Sequence, residues 1–299
     1  MATSITSADL IPIEQHFRVS AGPGAGKTYW LVNHIKNVLH ISLRLGKTRK
    51  IACITYTNIA VTTILARLGT SSDKVEVSTI HSFLYKHIVK PYATFIASDY
   101  DLNVAKMDGH EDIILSNYSF LDELKTATGQ QRIKDNAAMV DAITKAKWKF
   151  NSAGVLEIKP DYPQKIDSYS VKNETYSQYK KMAWAKGVLH HDDVLFFSYQ
   201  LLIKFPFLQS VIRAKFPYFF IDEFQDSNPI QVRILEMIGQ VETKIGIIGD
   251  KAQSIYLFQG ADASQFEAFT LQGVIDYKMS DNRRSTNQII DCLNIVRPA

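Results

Sequence analysis

The chain has 299 residues, of which 46% are hydrophobic, 21% charged and 11% aromatic. That composition excludes both a wholly disordered chain and a mainly membrane-embedded one. Its 34 Lys/Arg against 30 Asp/Glu leave a net charge of +4, which permits an anionic partner without requiring one. Cys53 and Cys292 are too few for a disulfide framework and point to a reducing compartment. The first basic residue is Arg18, so no charged leader is expected, and no apolar run approaches the ~20 residues of a membrane helix. A cytoplasmic protein of about two domains is the expectation, taking roughly 150 residues per domain.

In chain order, His16 to Ser20 reads as a short strand that stops at a glycine-rich stretch. Leu31, Ile35, Val38, Leu39 and Ile41 then recur at helical spacing until Gly46. Ile51 to Thr55 is a second strand of buried type, followed by a helix carrying Ile59, Ile64, Leu65 and Leu68. Val75 to Thr79 is a third strand, with a helix beginning near His81. From about Pro91 to Lys186 the rhythm fades into a polar, helix-leaning stretch, and residues 121–190 hold twelve Lys/Arg against eight Asp/Glu. The alternation returns with Tyr218 to Ile221, a helix around Gln231 to Ile238, and Ile245 to Ile248. Strands alternating with helices predict an α/β fold: an open parallel sheet covered on both faces, interrupted by a mainly helical, basic insertion.

Ala21-Gly22-Pro23-Gly24-Ala25-Gly26-Lys27-Thr28 falls between a predicted strand and a predicted helix. Glycines let successive backbone N–H groups converge on phosphate oxygens at a helix N-terminus. Lys27 would reach the β/γ-phosphates of ATP, and the Thr28 hydroxyl would ligate Mg²⁺. Downstream, Phe219-Phe220-Ile221 leads into Asp222-Glu223-Phe224-Gln225-Asp226. In a phosphate-loop ATPase, Asp222 would hold Mg²⁺ and Glu223 would orient and deprotonate the attacking water. After another apolar strand, Gln253 is placed to sense the γ-phosphate, while Tyr256 and Phe258 are either core aromatics or stacking surfaces.

These motifs, in this order, resemble the UvrD/Rep family of superfamily 1 DNA helicases. Alanine at position 21 is the form that family's loop usually takes. Thr55-Tyr56-Thr57-Asn58 and Thr79-Ile80-His81-Ser82-Phe83 are similar to its two early DNA-facing motifs. Gly249 to Ala261 resembles the γ-phosphate and DNA coupling motif, Asn282 to Thr286 the segment that follows, and Asp192-Asp193 a weaker acidic motif. The resemblance implies a RecA-like motor domain over residues 1–90 and 200–280, an insertion over 91–199, and at 281–299 the start of a second, otherwise absent RecA-like domain. It implies ATP and Mg²⁺ as cofactors and single-stranded DNA as partner. Bases would stack on Tyr56, Tyr256 and Phe258, with Thr55, Asn58 and His81 against DNA; Arg284 would reach the γ-phosphate and Arg283 would lie at the base.

Some positions depart from the family pattern. Ile59 and Gln259 stand where lysine and arginine are common, and Arg283 where a tyrosine is. Gln15, only 12 residues before Lys27, is a poor match to the adenine-reading glutamine. The basic run Lys145-Ala146-Lys147-Trp148-Lys149 is either a face along nucleic acid or a solvated helix face. The resemblance implies the ATP-binding half of a DNA helicase, hydrolysing poorly alone. The alternative is a regulatory UvrD-like ATPase subunit of a nuclease or Gabija-type anti-phage complex. A nucleotide kinase or GTPase is a third class, against which the absence of a clear Asn-Lys-x-Asp sequence argues.

Overall fold

The computed structural model describes residues 2–109, 114–250, 264–279 and 281. In chain order the elements are β1 (Thr3–Ser4), β2 (Phe17–Ala21), α1 (Lys27–Ile41), β3 (Ile51–Thr55), α2 (Asn58–Leu68), β4 (Val75–Thr79), α3 (Ile80–Leu84) and α4 (Lys90–Tyr92). Next come α5 (Tyr118–Ala127), α6 (Asn136–Thr144), β5 (Lys147–Phe150), β6 (Leu156–Lys159), β7 (Lys165–Ile166), β8 (Tyr169–Ser170), α7 (Asn173–Ala185), α8 (His191–Lys204) and α9 (Phe207–Lys215). Last are β9 (Tyr218–Ile221), α10 (Pro229–Gly239), β10 (Lys244–Gly249), α11 (Ser264–Ala268) and β11 (Ile275–Met279). They sort into two compact units: the described residues of Met1–Ile80 with Gln209–Ala299, and those of His81–Leu208.

The first unit is an α/β fold on a seven-stranded sheet of order β1-β11-β2-β10-β9-β3-β4, with every pairing parallel. Parallel strands covered on both faces read as unbroken apolar runs, and β3 and β9 are buried at every residue. The sequence missed β1 and β11, each of which lacks such a run. Because all strands point the same way, the loops after β2, β3, β9 and β10 emerge on one edge, where ligands of open α/β sheets bind. No single described helix is long and apolar enough to cross a membrane.

Helix α1 packs Trp30, Leu31, Val32, His34, Ile35 and Val38 into the core. His34 lies parallel to Trp30, ring centroids 5.1 Å apart, and meets Phe17 and Phe220 edge-on. Neither of its ring nitrogens has a hydrogen-bond partner among the described residues, and burial pushes its pKa from 6.5 down to about 4.

The second unit is helical with two small antiparallel hairpins, β5–β6 and β7–β8. The run from Lys145 is therefore not a helix face: Lys147 to Phe150 form an edge of a hairpin, and Trp148 is drawn inward. What draws it is Asp193. This fully buried carboxylate accepts from Trp148 Nε1 (2.9 Å), Trp184 Nε1 (3.0 Å) and the His190 N–H (2.9 Å), and pairs with the buried Lys180 ammonium at 2.8 Å. Burial alone would raise the Asp193 pKa, but the Lys180 charge and these hydrogen bonds outweigh it and hold the carboxyl below its usual range. The same residue completes a capping box with His190 at the start of α8.

Two stability predictions follow from these buried groups. Asp193→Asn leaves Lys180 buried without a counter-charge and should cost about 3 kcal/mol, read as a lower denaturation midpoint. His34 stays neutral when folded but takes a proton when unfolded, so its contribution is complete above pH ~6.5 and lost progressively toward pH ~4. That loss amounts to about 3 kcal/mol, and His34→Phe should flatten urea-unfolding stability over this window.

Candidate nucleotide site

Strand β2 ends at Ala21, and the chain turns through Gly22 to Gly26 before α1 begins at Lys27. Gly26 has φ +89°, a left-handed conformation that glycine adopts without a Cβ penalty, and an added Cβ would come within 3.1 Å of Ser7 Cβ. Lacking a side chain, Gly26 caps nothing, so the first-turn N–H groups of α1 face the loop with the positive end of the helix dipole behind them. Ala25 is fully buried beneath the loop, whereas Pro23 is exposed.

The paired carboxylates come from the end of β9. Glu223 has φ +54°, uncommon for a residue with a side chain, and this turn sends Asp222 and Glu223 to different neighbours. Glu223 Oε2 lies 3.1 Å from Lys27 Nζ and accepts from Gln225 Nε2 at 2.9 Å. Asp222 is buried, accepts from the Glu223 N–H at 3.1 Å, and is hydrogen-bonded to the Thr28 hydroxyl. Burial, then the neighbouring Glu223 charge, raises the Asp222 pKa to about 7 against the opposing pull of Lys27.

The fold thus brings together Lys27, Thr28, Asp222 and Glu223. The Thr28 hydroxyl and Asp222 carboxylate are hard oxygen donors in contact, which fits Mg²⁺ held by one or two protein oxygens with the remaining positions left to phosphate and water. Among the described residues no cluster of three or more His, Cys, Asp or Glu side chains suits a metal, so no all-protein cage competes with that arrangement.

The other expected residues are distributed unevenly. Thr55 is buried at 2% exposure, so its side chain is turned away from solvent, while Tyr56 is half-buried and Asn58 exposed at the start of α2. Ile59 is 79% exposed beside them. His81 belongs to the second unit, where its ring lies 3.5 Å from that of His191. Gln15 donates to the Tyr277 hydroxyl at 2.7 Å ahead of β2, at the opposite strand end from the loop. Gln253, Tyr256, Phe258, Arg283 and Arg284 lie outside the described residues.

The sequence model of the UvrD/REP helicase N-terminal domain matches residues 3–272. The chain belongs to this family. It is 27% identical to Gabija protein GajB of Bacillus cereus over 93% of its length and 46% of that protein's. It is 27% identical to the putative ATP-dependent DNA helicase YjcD of Bacillus subtilis, over 93% of the chain and 36% of the relative. DNA helicase II of Salmonella typhimurium matches at 25%, over 92% and 37%. The chain therefore spans less than half of each of these UvrD/REP relatives.

Two members of the site carried no separate signal in the sequence. Gln225 bridges Glu223 to β10, since its Oε1 accepts the Asp250 N–H at 2.9 Å. Gly249 makes room for it: a Cβ there would lie 2.4 Å from that oxygen. Gly249→Ala should therefore displace Gln225 from Glu223. Turnover is expected to fall about tenfold with nucleotide affinity nearly unchanged, measured by steady-state hydrolysis and equilibrium binding.

Proposed function

We propose that the chain is the ATP-binding half of an ATP-dependent DNA helicase or translocase, which couples hydrolysis to movement on single-stranded DNA. The observation that carries this reading is the contact of Lys27 and Thr28, from the loop after β2, with Glu223 and Asp222 at the end of β9. Lys27 is held by Glu223 without nucleotide and would pass to the β/γ-phosphate oxygens when a triphosphate enters, which releases Glu223. Glu223 then takes a proton from water as the water oxygen bonds to the γ-phosphorus and the bond to the β-phosphate oxygen breaks, leaving ADP and phosphate. Mg²⁺, held by Thr28 and Asp222, neutralises phosphate charge.

Gln253 and Arg284 are proposed to reach the γ-phosphate and Arg283 to lie at the base. The DNA track would use Tyr56, Asn58, His81, Tyr256 and Phe258. Thr55, being buried, does not present its side chain to DNA. The residues 281–299 would begin a second motor domain, and the cytoplasm is the proposed place of action. A second reading, a regulatory UvrD-like ATPase that works with a nuclease or other protein, draws on the similarity to Gabija protein GajB.

The test is ATP turnover by the chain with and without single-stranded DNA. Lys27→Ala should abolish turnover and weaken nucleotide binding. Glu223→Gln should keep nucleotide binding and lose turnover by about 10²–10⁴-fold, the range of a general base. Turnover unaffected by either change contradicts the ATPase reading. DNA-stimulated turnover that never yields unwinding, even when the chain is joined to the remainder of a helicase, favours the regulatory subunit.

A further inference from the structure

Thr55 is the last residue of β3, and its neighbour Tyr56 is the first to reach solvent. The β3 backbone is clamped to the acid pair, because the Asp222 N–H donates to the Ile54 carbonyl at 2.8 Å. Between them lies a cavity of about 20 Å³, lined by Thr55, Tyr56, Asp222, Glu223, Ser227 and Gln231 among others. This volume holds one water, and the polar lining offers it the two to four partners a buried water needs. Thr55 Oγ1 is buried and has no hydrogen-bond partner among the described residues. Valine would fill a β-strand position of this shape without leaving a hydroxyl orphaned, so the hydroxyl needs an explanation that packing does not supply.

We propose that Thr55 is a positioning residue: its hydroxyl holds a water in this cavity against the Asp222–Glu223 carboxylates, linking Tyr56 to the hydrolytic pair. The water accepts from Thr55 Oγ1 and donates to a carboxylate oxygen, and no bond other than hydrogen bonds changes. Because the Ile54–Asp222 backbone bond fixes the strand, a base stacking on Tyr56 shifts the chain where Thr55 can still adjust, and the water relays that shift to the carboxylates. The inference rests on the ATPase reading and adds to it a residue that acts from inside the fold.

The experiment compares wild type, Thr55→Val and Thr55→Ser in ATP turnover with and without a poly(dT) oligonucleotide, with Lys27→Ala as control. Thr55→Val should lower the DNA-stimulated kcat about tenfold with KM for ATP within about twofold, and Thr55→Ser should restore it to within about twofold of wild type. Wild-type turnover in Thr55→Val, or an equal loss in Thr55→Ser, overturns the inference while leaving the ATPase reading standing. Turnover that survives in Lys27→Ala overturns both. Independently of any variant, a high-resolution crystal structure of the unaltered chain should show an ordered water within hydrogen-bond distance of Thr55 Oγ1 and of one of the two carboxylates. A dry cavity overturns the inference.

Discussion

The ion pair between Lys27 and Glu223 joins the phosphate loop to the water-activating acid, and the rest of the site is arranged around it. The two residues come from strands that are not neighbours, since β10 lies between β2 and β9 in the sheet. Only an all-parallel sheet delivers both loops to one edge, and only the sharp turn at Glu223 sends the second carboxylate toward Lys27 while Asp222 stays beneath with Thr28. The pair is partly exposed, so as a stabilising contact it contributes little. Its consequence is electrostatic: it places one cation among two carboxylates, one of which is fully buried.

The intervening strand takes part through Gln225, which grips Glu223 with one end of its amide and the Asp250 N–H with the other. Movement of the loop after β10 is thereby tied to the position of Glu223. Thr55 adds a connection from the opposite side, through β3. The acid pair thus sits between two strand ends, each able to report on a different part of the molecule, which is the arrangement a motor requires if hydrolysis is to depend on what lies on its track.

Much of this was legible in the sequence. The apolar runs at Ile51–Thr55 and Tyr218–Ile221 marked their strands to the residue, because strands buried on both faces cannot carry polar residues on one side. Gly22 to Thr28 and Asp222-Glu223 were recognisable because their chemistry restricts residue types at fixed spacing. The edge strands were not legible: β1 is two residues long, and β11, Ile-Asp-Tyr-Lys-Met, alternates polar and apolar residues weakly. Lys145 to Lys149 read as a charged helix face because its lysines dominate the pattern, whereas the structure is organised by the one tryptophan among them. Asp193 looked like part of an acidic motif, yet its surroundings, two indoles, an ammonium and a backbone N–H drawn from distant positions, exist only after folding.

The most direct test of the account is a crystal structure of the chain with Mg²⁺ and a non-hydrolysable ATP analogue. The account predicts that Lys27 Nζ leaves Glu223 for a β- or γ-phosphate oxygen, that Thr28 and Asp222 flank the metal, and that Glu223 faces a water near the γ-phosphate. An analogue bound elsewhere, or Lys27 still paired with Glu223 beside a bound triphosphate, would contradict it.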